Sequence, residues 1–116
     1  MGMPTLQELL TGQLDQVIEQ HAAGTNSGAT ATEAAAVGKK HMITSVEAWS
    51  DGAVLLQLKD DATVIKEWKL LADTPFSKDF RQPLEITAGK AFAAVVANST
   101  TDCHVSFSGF TVDEGA

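Results

Sequence analysis

Residues that most often carry chemistry are sparse and scattered in this chain of 116 residues. The three histidines, His21, His41 and His104, fall in three separate elements. None stands at i, i+4 from another, and the single cysteine, Cys103, cannot complete a zinc set. Each histidine therefore reads as a surface or interface residue. Cys103 and His104 are adjacent, which would suit a thiolate and its base. Neighbouring side chains of a strand point to opposite faces, however, so these two cannot meet, and Cys103 reads as a small half-buried filler. Asp60-Asp61 offers carboxylates to calcium, but Ala62-Thr63-Val64 adds few oxygens, and a turn is the simpler role. No pair of acidic residues stands out for sugar hydrolysis. Phosphate-binding glycine loops, nucleophile elbows and P-loops are missing. The sequence thus assigns no catalytic, cofactor-binding or metal-ligating residue, and the expectation is a non-enzyme.

Trp49 and Trp68 are the residues with a binding chemistry to offer. Exposed aromatic rings on a β-sandwich can stack on sugars, although core or interface packing is the more ordinary role at strand positions.

The charge balance narrows the partners. Net charge is −7, from 15 acidic and 8 basic residues, which disfavours nucleic acid and anionic membranes because both require a basic surface. One cysteine allows no internal disulfide, which fits a reducing compartment or a particle assembled in one. Residues 1–10 lack the basic start and apolar run of a secretory signal, and no apolar stretch is long enough to span a bilayer. With 44% hydrophobic and 20% charged residues, the composition is that of a globular domain.

The elements that must position these residues change character near residue 24. Before it, Leu6, Leu10, Leu14, Val17 and Ile18 recur at helical spacing, opposite Gln7, Gln13, Gln16 and Gln20. Thr5-Leu6-Gln7-Glu8 forms a capping box, and Gly24 supplies a stop, so the pattern predicts a helix over residues 6–23. Its apolar stripe either covers the same chain's β domain or packs on another chain. The glycine-rich stretch over residues 24–28, read as a flexible hinge, favours the second.

After the hinge, short β-type runs alternate with turns. The expected strands cover residues 29–37, 41–49, 53–59, 63–71, 84–87, 91–97 and 103–112, with an irregular run over 73–82. Asp51-Gly52 is the strongest hairpin signal. Val54, Leu56 and Leu58 alternate inward, and Lys66 breaks the pattern of its strand, as an edge position would. Residues 91–97 are apolar on both faces, which suits a central strand or one meeting another subunit at Phe92 and Val95. Gly109 sits where the phase of the last strand slips, as in a β-bulge. The expected fold is mainly β: an eight-stranded β-sandwich or jelly roll with an N-terminal amphipathic α-helix. Its expected organisation is a helical arm over residues 1–24, a linker over 25–32 and a sandwich over 33–116.

Three runs carry a family likeness. They are Gly38-Lys39-Lys40-His41 followed by Ile43-Thr44-Ser45, then Pro83-Leu84 with Ile86-Thr87-Ala88-Gly89-Lys90-Ala91, and last Val105 with Ser108-Gly109-Phe110. Over residues 29–112 the chain resembles small virion proteins of tailed bacteriophages, among them capsid decoration, cement and staple proteins. That resemblance implies a structural protein on the capsid exterior of the virion, assembled in the bacterial host cytoplasm. It also implies a homo-oligomer, dimer or trimer, with the major capsid protein as partner. The N-terminal helix is not part of the shared pattern, so it either docks on the capsid or bundles with neighbouring copies. The expected interface is then Leu6, Leu10, Leu14, Val17 and Ile18 on the helix, with Phe92 and Val95 on the sandwich. A tail or fibre-associated module recognising host glycans through Trp49 or Trp68 is the alternative.

Overall fold

Period-two alternation of apolar and polar residues runs through most of the chain. In the computed structural model, which describes residues 16–25, 27–97 and 102–113, it becomes eight strands. These are β1 (Gln16–Gly24), β2 (Ala29–Glu33), β3 (Lys39–Ser50), β4 (Val54–Asp60), β5 (Thr63–Leu70), β6 (Phe76–Glu85), β7 (Phe92–Val96) and β8 (Cys103–Asp113). They form two four-stranded antiparallel sheets, ordered β1-β8-β3-β6 and β2-β7-β4-β5. The pairs β1:β8, β2:β7, β3:β6 and β4:β5 are those made when one long hairpin is rolled into two facing sheets, which is the jelly-roll arrangement.

The core lies between the sheets. Leu56 and Leu58 of β4, Phe92, Ala94 and Val96 of β7, Ile43 and Val46 of β3, and Val105 and Phe107 of β8 are all buried there. Phe92 meets Phe107 edge to face across the gap, with ring centroids 4.8 Å apart. Burying a side chain of this size stabilises by about 1.5–3 kcal/mol, so these alternating positions hold the sandwich closed.

Several expectations give way to the structure. The second half of the expected helix is a strand: Gln16–Gly24 pairs with β8 residue for residue, from Gln16↔Thr111 to Gly24↔Cys103. Val17 and Ile18 fit either period, and here Ile18 turns into the core while Val17 faces solvent. Pairing with β8 seats Ile18 in the core, a burial that a marginal helix standing alone does not supply, so tertiary context overrides local propensity. Leu6, Leu10, Leu14 and the capping box lie outside the described residues.

The two ends of the stretch read as a hinge lie close together, since a Cβ on Gly24 would stand 2.5 Å from the Gly28 carbonyl oxygen. Because Ala29–Glu33 is itself a strand, the 25–32 linker does not form as such, and the sandwich begins at β1 rather than at residue 33.

Asp51-Gly52 closes no hairpin. It carries the chain from β3 in one sheet to β4 in the other, and Gly52 is not among the positive-φ glycines. The hairpin is β4–β5, turned at Asp61 with φ 57°. Residues 73–82 and 84–87 are not an irregular run and a separate strand, because Phe76–Glu85 is one strand. Its ladder to β3 jumps from Asp79 to Leu84. Pro83 falls inside that jump, on an edge strand where a missing N–H is tolerated.

Gly109 marks no slip in β8, whose inward positions run unbroken through Cys103, Val105, Phe107, Gly109 and Thr111. The irregularity is in β3, between Ile43 and Ser45. That bulge pushes β3 against β8, and a Cβ on Gly109 would collide with the Met42 carbonyl oxygen and stand 3.0 Å from Ile43 Cα. Two other expectations are met: β7 is central in its sheet, and Lys66 is exposed on an edge strand.

Candidate functional site

The outward face of the β1-β8-β3-β6 sheet gathers the polar and aromatic residues that alternation excludes from the core. The ladders set them in rows. The first row is Ala23, His104 and Trp49, and the second is His21, Ser106, Glu47 and Ser77. Glu19, Ser108, Ser45 and Asp79 make the third, and Val17, Phe110, Met42 and Glu85 the fourth. The β3 bulge makes this alignment possible. Thr44 is the extra residue, its hydroxyl donates to the Ser108 carbonyl at 3.1 Å, and both Met42 and Ser45 thereby reach the outer face.

At the first row, the half-buried Trp49 stacks on His104 with centroids 5.5 Å apart and 17° between planes. A depression of about 330 Å³ beside them is lined by Glu47, Trp49, Pro75, Phe76, Ser77 and His104. A second, of about 170 Å³, is lined by Glu19, Ser45, Glu47, Ser106 and Ser108, with Phe107 at its floor. Glu47 belongs to both, so they form one strip along β3 and β8. Within it the hydroxyls of Ser45 and Ser108 share a 2.6 Å hydrogen bond.

This strip joins a flat ring surface to hydroxyls that both donate and accept, and to carboxylates that accept. Glu19 and Glu47 are exposed. The arrangement is suited to holding a polyhydroxylated ligand.

The other sequence candidates are placed elsewhere. Phe92 and Ile18 are core residues, not interface residues. Val17 is 74% exposed at the edge of the candidate face, and Val95 is half-buried on the outer face of the other sheet. Trp68 packs against the core and tilts on Phe76, with centroids 5.2 Å apart. His21 and His104 are surface residues, as expected, but His41 is buried. Its Nδ1 lies 2.8 Å from the Thr111 hydroxyl and its Nε2 lies 2.8 Å from the Ala34 carbonyl. That carbonyl can only accept, so Nε2 donates to it, while Nδ1 and the Thr111 hydroxyl share the other hydrogen bond.

Cys103 points inward, away from His104. Its thiol is held above its ordinary pKa, chiefly by burial. Asp60, at the end of β4, ties down the β6–β7 connection: Oδ2 accepts from the Thr87 amide at 3.0 Å and from the Thr87 hydroxyl at 2.7 Å.

No protein-family model matches this chain, and no curated protein matches it. Solved structures similar to it include two carbohydrate-binding modules. One is a carbohydrate-binding module, CBM36, in complex with calcium and xylotriose. It is 19% identical, the match covers 76% of this chain and 77% of that one, and the TM-score is 0.46. The other is the CBM36-1 domain of a multidomain xylanase from the hindgut metagenome of Trinervitermes trinervoides. It is 15% identical over 81% of this chain and 77% of that one, with a TM-score of 0.42. The jelly-roll assignment rests on the strand order itself. Among the described residues no three His, Cys, Asp or Glu side chains converge as a metal site.

Sequence reasoning singled out Trp49 but missed Glu19, Ser45, Glu47, Ser106 and Ser108. A signal for most of them exists. In Ser45-Val46-Glu47-Ala48-Trp49 and in His104-Val105-Ser106-Phe107-Ser108, every residue of one phase is apolar, and the other phase lists the strip.

Proposed function

We propose that this chain is a glycan-binding domain whose platform is the outer face of the β1-β8-β3-β6 sheet. The observation that carries this reading is Trp49, backed by His104, at the head of a strip of serines and carboxylates. A sugar ring laid on the indole buries its C–H face there. Its hydroxyls then reach Glu47, Ser77 and Ser106, and a following ring reaches Glu19, Ser45 and Ser108. From Trp49 to Ser45 the strip runs roughly 13 Å at 3.3 Å per residue, so it extends beyond one ring. Strands hold these groups in place, so little ordering is needed on binding. In a virion, such a domain belongs to a tail or fibre and contacts host glycans, with many weak sites acting together.

Affinity electrophoresis through gels containing soluble polysaccharides tests the reading. The native chain is expected to be retarded by at least one polysaccharide, and Trp49→Ala is expected to run freely. Free migration of the folded native chain through neutral and acidic polysaccharides alike would reject it.

A second reading, a decoration protein bound to a major capsid protein, has one observation in its favour. The outer face of the β2-β7-β4-β5 sheet sets short side chains beside longer ones, with Thr30, Val95 and Gln57 in one row and Thr32, Ala93 and Lys59 in the next. On this reading Val95→Asp abolishes co-sedimentation with phage heads while Trp49→Ala does not. The reverse pattern counts against it.

A further inference from the structure

Four strands border the two sheets: β1 and β6 on one, β2 and β5 on the other. An uncovered edge is a template for another chain, and natural sheets blunt their edges with lysine, proline, bulges or shortness. Three edges here are blunted. β6 carries Lys78, Arg81 and Pro83, and its ladder is interrupted between Asp79 and Leu84. β5 carries Lys66 and Lys69, and its pairing shifts opposite Leu58 and Lys59. β2 is only five residues long.

β1 has none of these devices. Its nine residues pair with β8 without a register shift, and they include no proline, lysine or arginine. Among the described residues, β8 is the only strand in its ladder. Its Val17 is 74% exposed.

We infer that two copies of this chain pair antiparallel through β1, on a two-fold axis at Gln20. The sequence of β1 is self-complementary in that register. Glu19 of each copy faces His21 of the other, so a carboxylate meets an imidazole N–H twice on the outer face. On the inner face Ile18 of each copy stands opposite Ala22 of the other, large against small. Moving the axis to Glu19 sets carboxylate against carboxylate, moving it to His21 leaves Glu19 opposite Ala23, and an axis between residues sets inward positions against outward ones. The Gln20 pair at the chosen axis is uncharged, and each amide can both donate and accept. Gln20, at the axis, already donates through Nε2 to Glu33 of β2 at 3.1 Å. The interface is isologous and closes after two copies. It produces one continuous eight-stranded sheet by strand addition. The inference does not require glycan binding, but it shares Glu19 with the candidate strip, and the two strips would then lie on one surface.

Sedimentation velocity on the full chain tests this pairing. The native chain is expected to sediment as a dimer and H21E as a monomer, because that change sets carboxylates against each other. The double variant E19K/H21E is expected to regain the dimer by restoring opposite charges. V17K, an edge-blunting change at an exposed position, is a second route to the monomer should H21E fail to keep the native circular dichroism. W49A is expected to remain dimeric, which separates this test from that of the glycan site. A native chain that is monomeric at every concentration overturns the inference. So does a dimer that neither H21E nor V17K weakens.

Discussion

Trp49 and His104 are direct partners in the β3–β8 ladder, and their rings stack 5.5 Å apart with 17° between planes. The imidazole lies against the indole and limits its rotation, which leaves part of the ring surface presented to the depression beside it. An aromatic pair of this kind is worth about 0.5–1.5 kcal/mol beyond the area it buries. In a Trp68→Phe background, where Trp49 is the sole tryptophan, His104→Ala is therefore expected to lower fluorescence anisotropy. It should also weaken glycan binding by a few-fold. Unchanged anisotropy would mean the stack does not hold the ring.

The close approach of β3 to β8 makes a second prediction. Gly109 stands beneath the β3 bulge with no room for a Cβ. Gly109→Ala should force the strands apart and destabilise by about 1–3 kcal/mol, the usual cost of overpacking. Urea denaturation measures this as a lower midpoint. Gly38→Ala, by contrast, strains a positive φ but meets no neighbour within 4 Å, so it separates conformational cost from steric cost.

The buried His41 holds two elements together, with Thr111 of β8 on one ring nitrogen and Ala34 beyond β2 on the other. His41→Leu leaves the Thr111 hydroxyl buried without this partner, at about 1–3 kcal/mol. Thr111→Val added to His41→Leu should recover part of that loss. A double-mutant cycle by thermal or urea unfolding reads the coupling, and additive costs would contradict it.

Cys103 is almost fully buried, and its raised pKa follows from that burial first. The native thiol should therefore react slowly with a disulfide reagent at neutral pH, and at full speed once unfolded. A thiol whose folded pKa is raised stabilises the fold below its unfolded pKa. That contribution is lost as pH rises through the folded value. Alkaline solution should accordingly destabilise the native chain more than Cys103→Ala.

The sandwich was legible in the sequence because its strands obey a period of two. Val54, Leu56 and Leu58 point inward as the alternation requires, and the apolar β7 is central. What the sequence obscured follows from pairing that no local pattern contains. Val17-Ile18 satisfies a helical and an extended period equally, and the ladder with β8 decides between them. Asp51-Gly52 signals a reversal, but not whether the chain returns in the same sheet or crosses to the other. Gly109 signals a bulge, but the bulge lies on the neighbouring β3, and the glycine is the space left for it. The candidate strip was half visible. Trp49 stood out by type, but Glu19 joins Ser45 and Ser108 only through the β1–β8–β3 register.

Whether Trp49 is a sugar platform is read by fluorescence titration of the Trp68→Phe chain with oligosaccharides. A saturable change in emission is expected with at least one oligosaccharide, weakened at least about tenfold (1.4 kcal/mol) by Glu47→Ala. Flat emission across neutral and acidic oligosaccharides, from a chain that retains its native circular dichroism, would contradict it.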